Sequence, residues 1–366
     1  MSRDNNERFH LGEFMLARFL LFVHSIIFVV VVLTNNTTSG AVIDVNNDNN
    51  NDNNNNKNNI VLGNVDNDIS KDYFIGPCLV NTNQTCPDEE VTFFLYTREN
   101  PSRGQRIVVT DTDSNLDITN YNSSNPTKII VHGYNSDMLM SSLVEVKDEY
   151  LRKGEYNLIA IDWHRLALGP CYPIAVYNVP HVGQCLAQLI RRLDYHGAKD
   201  LHVIGFSLGA HVPAFSANYL KPYKLERITG LDPAMPLFVA VDNDEKLDPS
   251  DANFVDVYHT NAFIQGKLER SGHIDFYMNG GVNQPGCWEN RNPFGCNHHR
   301  SAEYFAESIN TDLGFWGWQY RSILLLSVQI LNRVNFIFPY FLFFFFSSLF
   351  FSAIYKPTRN HVIVHL

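Results

Sequence analysis

The chain has 366 residues, of which 45% are hydrophobic, and it carries a formal net charge of −10. This length suits one large α/β domain with extensions, and the hydrophobic content is sufficient for a substantial core. The negative charge argues against a nucleic-acid partner and against electrostatic attachment to anionic membranes.

The N-terminal segment has the features of a signal peptide. An apolar run at residues 19–33 follows Arg18, and the small residues 38–40 provide a cleavage site. We predict a signal peptide over residues 1–40 and a secreted protein, with an uncleaved anchor as the alternative. Secretion would make the N-x-S/T sequons candidate glycosylation sites, namely Asn35, Asn36, Asn83 and Asn122.

The next segment is unusually rich in Asn and Asp. Residues 45–59 consist almost entirely of these two types and offer little apolar surface to bury. We therefore predict a disordered spacer over residues 41–70 and a catalytic domain over residues 71–320.

Apolar runs and helix-like stretches alternate through this domain. The pattern predicts helices between the strands, such as one over residues 177–195. Such alternation is typical of a mainly parallel sheet covered by helices on both faces. The predicted strands are residues 91–97, 128–131, 158–161, 201–204, 228–231 and 255–259.

A G-x-S-x-G motif occupies residues 205–209, between an apolar run and the helix-like residues 210–220. In this strand–turn–helix setting the serine stands on a tight turn with its hydroxyl exposed above the sheet. Ser207 is therefore a candidate nucleophile. A glycine-rich turn without chemistry is the alternative interpretation.

Two other strand ends carry residues that suit the same chemistry. Asp232 follows the strand after Ser207, although an Asp-Pro pair also starts turns. His132-Gly133-Tyr134 follows an earlier strand, where a loop supplies one backbone N–H of an oxyanion hole. Chain order does not choose among the later histidines, which are His259, His273, His298 and His299.

These residues resemble the pancreatic-lipase family, most closely its insect and venom phospholipase A1-like members. The resemblance covers residues 78–318, and so many motifs in one order make it specific. The motifs are F-F-L-Y-T-R (93–98), V-H-G-Y (131–134), D-W (162–163), G-F-S-L-G-A (205–210), G-L-D-P-A (230–234), D-V-Y-H-T-N (256–261), D-F-Y-M-N-G-G (275–281), Q-P-G-C (284–287) and C-N-H-H-R-S (296–301).

The resemblance implies an α/β-hydrolase fold and a Ser207, His298 and Asp232 triad. The backbone N–H groups of Tyr134 and Leu208 would form the oxyanion hole. His299 would then be a bystander and His259 a core or supporting residue. The chemistry needs neither a cofactor nor a metal, and adjacent histidines rarely both ligate one ion.

Six cysteines suit an oxidising compartment, and they fall as three close pairs along the chain. The resemblance implies that Cys287 and Cys296 form the disulfide that closes the lid. The connectivity of the other four stays open, with different partners or a free thiol as alternatives. They are Cys78, Cys86, Cys171 and Cys185.

Residues 321–366 do not fit the family pattern. Residues 334–355 are apolar over a length that could span a bilayer, with Lys356 and Arg359 just beyond. The tail is either a membrane anchor or non-native sequence such as translated intron, since a T-rich tract encodes a run of Phe. Under either interpretation a strand at the sheet edge is at risk of being missing. We also expect no β-sandwich lipid-binding domain and no colipase partner.

The loop between Cys287 and Cys296 holds only eight residues, 288–295. A loop of this length is too short for a helix that would cover a cleft. We expect a lipid substrate at a membrane or lipid–water interface, most of all the sn-1 ester of phospholipids. The alternatives are a general or triacylglycerol lipase, or a catalytically impaired lipid-binding relative.

Overall fold

The computed structural model describes residues 72–82, 84–320 and 360–364, all within one compact unit that spans Asp68–Leu366. The predicted signal peptide, the spacer and residues 334–355 lie outside the described residues, as does the sequon at Asn83. Within the described ranges, no helix is both long enough and apolar enough to cross a membrane.

The described part of the chain forms a long sheet with helices between many of its strands. The helices are α1 (Ser141–Lys153), α2 (Tyr172–Tyr195), α3 (Val212–Leu220) and α4 (Pro293–Asn310). The strands are β1 (Asp72–Ile75), β2 (Cys78–Asn81), β3 (Thr92–Tyr96), β4 (Gln105–Ile107), β5 (Pro126–Val131), β6 (Asn157–Asp162), β7 (Lys199–Phe206), β8 (Leu225–Leu231), β9 (Ala252–His259), β10 (Ile274–Met278), β11 (Gly317–Tyr320) and β12 (Asn360–Val364).

Ten strands form one sheet in the order β11-β12-β10-β9-β8-β7-β5-β6-β3-β4, and β1 and β2 form a separate hairpin. From β6 to β12 the neighbouring strands are parallel, whereas β3, β4 and β11 run antiparallel to their neighbours. The chain moves from β5 to β6 on one side and then to β7 on the other. This reversal opens a crevice at the carboxyl ends of β5 and β7, where α/β sheets place their ligands.

Both faces of the sheet are buried, which explains why its central strands read as continuous apolar runs. Along β5, Ile129 and Val131 join the core cluster under α2, while Ile130 joins the cluster under α1 and α4. Helices α1 and α4 pack together on one face, and α2 and α3 pack together on the other. The predicted α/β-hydrolase architecture, with helices on both faces, is therefore confirmed.

Two disulfides connect the N-terminal part of the domain to α2 and the residue before it. They join Cys78 to Cys171 and Cys86 to Cys185, and each closes a loop of more than ninety residues. Among these four, the cysteines that are close in sequence are thus not the disulfide partners. Helix α2 runs beside β2, and Gln188 of α2 donates to the Cys86 carbonyl in the loop that follows. The predicted Cys287–Cys296 disulfide is present.

The sheet edge beyond β10 is occupied. Strand β12 lies parallel to β10, and Ile274 pairs with Asn360 at the start of the register. Strand β11 then pairs antiparallel with β12. Within the described residues, the edge strand that was at risk of being missing is therefore present. Its sequence, residues 361–364, contains three β-branched residues, which suit a strand.

Candidate active site

Ser207 stands at the end of β7 on a turn that few residue types tolerate. Its φ is 56°, in the left-handed region. The backbones around it approach so closely that side chains are excluded at both flanking glycines. A Cβ at Gly205 would lie 2.3 Å from the carbonyl oxygen of Gly209, and one at Gly209 would lie 2.2 Å from that of His132. This is the geometry of a nucleophile elbow.

The loop after β5 lies directly against this serine. A Cβ at Gly133 would be 2.8 Å from the Cβ of Ser207 and 3.3 Å from its Oγ. The next residue, Tyr134, contacts the ring of Tyr172 edge-on with centroids 5.0 Å apart. Leu208 is buried in the short helical turn that begins at Ser207. The two residues predicted to form an oxyanion hole thus flank Ser207 on adjacent segments.

His132 anchors the loop, a role that the sequence analysis did not assign. The backbone N–H of Trp163 donates to His132 Nε2 over 3.0 Å, and the indole Nε1 donates to the His132 carbonyl over 3.0 Å. Because Nε2 accepts, Nδ1 carries the proton and donates to the Gly133 carbonyl over 2.9 Å. The ring therefore connects the end of β6 to the oxyanion loop.

Asp232 follows β8 and is fully buried, also with a left-handed φ, of 45°. One carboxylate oxygen, Oδ1, accepts the backbone N–H groups of Thr260 at 2.8 Å and Asn261 at 3.1 Å. The other oxygen, Oδ2, lies 2.5 Å from His298 Nδ1. With its first oxygen held by two donors, the carboxylate presents the second to the histidine.

His298 lies in the first turns of α4, whose start is fixed by local sequence. Pro293 suits the first helical position, and the side chain of Asn292 accepts the N–H of Gly295 as an N-cap. The His298 ring is nearly buried and packs 4.6 Å from the ring of Phe206, the residue before Ser207. Since Nδ1 donates to Asp232, Nε2 is the nitrogen left to accept a proton.

The segments that carry Ser207 and Asp232 are also hydrogen-bonded to each other. The N–H of Ala234 donates to the Ser207 carbonyl over 3.1 Å. His211 Nε2 in turn donates to the Ala234 carbonyl over 2.9 Å, while His211 Nδ1 accepts the N–H of Leu247. Burial, assisted by the charge of Lys267, lowers the pKa of His211 to about 3, so its ring is neutral.

The other histidines after Asp232 lie in different settings. His259 binds the Lys267 carbonyl and Asp275, and His273 accepts the N–H of Val255. His299 contacts the Phe206 ring edge-on, and burial, followed by the charge of His298, lowers the pKa of His299. Of these four, His298 is thus the one that the structure brings to Asp232.

Neither His298 nor His299 belongs to a metal-ligand cluster within the described residues. The grouping found there is Cys86, His181 and Cys185, and its two sulfurs are joined in a disulfide. It lies on α2 and the loop before β3, apart from Ser207 in the sequence.

The non-helical part of the loop closed by Cys287 and Cys296 is shorter than the eight residues between the two cysteines. Helix α4 already begins at Pro293, so only residues 288–292 are free of helix. Trp288 in this loop is 75% exposed. Gln284, just before the loop, is buried and donates from Nε2 to the Thr260 carbonyl at 2.9 Å. It thereby ties the base of the loop to the segment that holds Asp232.

Comparison with known proteins finds similar sequences. A family model described as Lipase matches residues 77–324. Pancreatic lipase-related protein 2 of Sus scrofa is 38% identical over 256 residues, covering 63% of this chain and 54% of that protein. Lipase member H of Danio rerio is 37% identical over 232 residues, covering 60% and 49%. The chain therefore spans about half the length of these relatives.

Among solved structures, the esterase Pf2001 of Pyrococcus furiosus aligns with 39% of this chain and 65% of its own. The alignment has 18% sequence identity and a TM-score of 0.29.

Proposed function

Because this chain belongs to the lipase family, we propose that it is a secreted serine hydrolase of lipid carboxylic esters that favours the sn-1 ester of phospholipids. The observation that carries the proposal is the 2.5 Å hydrogen bond between His298 and Asp232, with the His298 ring packed on Phe206, the residue before a serine that has a left-handed φ. The names of the relatives describe lipases, which supports the same class of substrate. Three disulfides support an oxidising, extracytoplasmic setting.

The proposed mechanism is a two-step acyl transfer. His298 Nε2 takes the Ser207 proton as Oγ attacks the ester carbonyl carbon, and it returns that proton to the leaving alcohol. Water then repeats the sequence on the acyl-enzyme and releases the fatty acid. Asp232 holds the imidazole in the tautomer with Nδ1–H and stabilises the imidazolium.

Charge that develops on the carbonyl oxygen would be met by the backbone N–H groups of Tyr134 and Leu208. Gly133 lies against Ser207, so the two segments that carry these groups converge on the hydroxyl. Removal of one such donor typically costs ~3 kcal/mol of transition-state stabilisation. The proposed nucleophile, base and oxyanion donors all belong to the chain itself, and the proposal needs no cofactor.

The preference for phospholipids rests on the loop closed by Cys287 and Cys296. Its five non-helical residues, 288–292, are too few to form a helical cover, so an apolar lid over Ser207 is not available from this loop. An open and more polar rim accommodates a phospholipid headgroup. It also removes the need for a lid to open at an interface. A general or triacylglycerol lipase is the competing function.

Two assays test the proposal. Secreted wild-type protein should hydrolyse a short p-nitrophenyl ester, and the Ser207→Ala variant should not. Equal activity in the two proteins, or no activity in the wild type, would contradict a serine hydrolase. Side-by-side hydrolysis of phosphatidylcholine and triolein then tests the substrate. A clear preference for triolein, with activity only above the concentration at which an interface forms, would contradict the lid argument.

A further inference from the structure

A second buried histidine–carboxylate pair lies beside Asp232. His259 is the last residue of β9, and Asp275 is the second residue of β10. His259 Nε2 lies 2.9 Å from Asp275 Oδ1, and both side chains are almost completely buried. The proposed reaction does not use either residue.

The hydrogen bonds around this pair involve both nitrogens of the His259 ring and both oxygens of the Asp275 carboxyl group. His259 Nδ1 lies 2.7 Å from the Lys267 carbonyl, which can only accept, so this nitrogen carries a proton. Asp275 accepts the backbone N–H groups of Ser271 at 2.8 Å and Gly272 at 3.3 Å, as a carboxylate does. Both ring nitrogens of His259 thus face oxygen atoms within hydrogen-bond distance, an arrangement that suits an imidazolium paired with a carboxylate.

A buried pair of this kind contributes little net stability to a fold in many proteins. Desolvation costs several kcal/mol per buried ion, and replacement by well-packed apolar side chains of similar volume is often neutral or stabilising. The His259 ring is already packed face-to-face on Tyr277, with centroids 4.5 Å apart. What the hydrogen bonds of the pair add to this packing is a fixed direction for both ring nitrogens.

Two connections lead from His259 to the Asp232 carboxylate. The first is the chain itself, since the next two residues, Thr260 and Asn261, donate their backbone N–H groups to Asp232 Oδ1. The second runs through the Lys267 carbonyl that His259 holds. Gly266, the residue before Lys267, lies directly against the Asp232 carboxylate. A Cβ on Gly266 would be only 2.3 Å from Asp232 Oδ1.

The strand register brings these elements together. Leu231 pairs with Tyr258 across β8 and β9, so Asp232 comes level with His259. Tyr277 pairs with His259 across β9 and β10. His259 therefore stands between Asp232 on one side and its own carboxylate partner on the other.

We propose that His259, held as an imidazolium by Asp275, is a positioning residue that sets the orientation of the Asp232 carboxylate toward His298. It acts through the Thr260–Asn261 backbone and the Gly266–Lys267 segment and does not touch substrate. The role in turnover rests on the proposed ester hydrolysis, whereas the orientation of Asp232 can be measured without turnover.

The test compares the wild-type protein with His259→Gln and Asp275→Asn, and His181→Gln is the matched control. His181 is also buried and pairs with an aspartate, the partly buried Asp88, but it lies on α2. We expect kcat on a soluble p-nitrophenyl ester to fall ~10- to 100-fold in both test variants, with KM nearly unchanged, since small misplacement of a reacting group has effects of this size. The control should retain wild-type kcat.

Proton and ¹⁵N NMR give the readout that a merely structural role would not change. A short hydrogen bond to a carboxylate gives the Nδ1–H proton of His298 a far-downfield resonance. This resonance should move upfield or broaden in both test variants. In His181→Gln its chemical shift should equal that of the wild type. Wild-type His259 should show two protonated ring nitrogens at neutral pH. A neutral His259, or an unchanged His298 resonance in either folded variant, would overturn the proposal. Absence of wild-type hydrolysis with these shifts intact would contradict only the proposed function.

Discussion

The imidazole of His211 donates from Nε2 to the carbonyl oxygen of Ala234 over 2.9 Å. His211 follows the turn that carries Ser207, and Ala234 follows the turn that carries Asp232. The N–H of Ala234 also donates to the Ser207 carbonyl. Ala234 is thus hydrogen-bonded to residues 207–211 through both its N–H group and its carbonyl oxygen. The separation of the proposed nucleophile and acid is therefore set by backbone hydrogen bonds that a single buried ring completes.

This arrangement predicts acid sensitivity. The folded-state pKa of His211 is about 3, against an ordinary value of 6.5, because the ring is buried and neutral. The unfolded chain therefore binds one more proton between these values, and the free energy of unfolding should fall as pH drops through that window. The slope from this residue is about 1.4 kcal/mol per pH unit.

Chemical denaturation of wild type and His211→Gln from pH 7 to pH 3.5 measures this slope. The variant should be less stable at pH 7 but should lose less stability on acidification. His164→Gln, at a half-exposed position, is the control and should follow the wild-type curve. Parallel curves for wild type and His211→Gln would show that the ring does not control the acid response.

Ser207, His298 and Asp232 should act as one unit. We expect Ser207→Ala and His298→Ala each to lower kcat by roughly 10⁶-fold, and the double variant to be little worse, because each removes the same proton-transfer pathway. Steady-state kinetics on a soluble ester measure this. His299→Ala should stay active; an inactive His299→Ala together with an active His298→Ala would mean that the histidine is misassigned.

Gly133→Ala tests the oxyanion loop. The new methyl group would stand 2.8 Å from the Ser207 Cβ, so the loop or the serine must shift by several tenths of an ångström. We expect kcat to fall by about 10²-fold or more, the scale for a lost oxyanion donor. Gly154→Ala is the control, because its Cβ would meet only the edge of Tyr156 at 3.3 Å. Equal activity in both variants would contradict the assigned loop.

Trp288 should contribute to binding at a lipid surface. Its indole is 75% exposed on the loop beside α4, and tryptophan favours the boundary between water and lipid. Trp288→Ala should weaken sedimentation with phosphatidylcholine vesicles while activity on a soluble ester stays unchanged. Trp316→Ala removes a side chain that is 81% exposed but lies beyond α4, and it should bind vesicles as wild type does. Equal losses in both would argue against a specific lipid contact at Trp288.

The sequence by itself determined the main course of the chain. All six predicted strands appear as β3 and β5–β9, with ends shifted by a few residues. Strands β5–β9 are parallel, and buried parallel strands are continuous apolar runs that stop at polar or glycine-rich turns. The resemblance drawn from ordered motifs is confirmed by the family match over residues 77–324. The catalytic roles of Ser207, Asp232 and His298 stay predictions, as does the preference for phospholipids.

Only the tertiary structure decided which distant residues meet. The cysteine partners follow from α2 lying beside residues 78–86, a contact between residues more than ninety positions apart. The anchoring of His132 by Trp163, and of Asp232 by the N–H groups after His259, depends on which strands become neighbours in the sheet. Local sequence sets where a strand begins and ends, whereas strand order and register arise from the packing of the whole core, so these partners could not be read from the motifs that contain them.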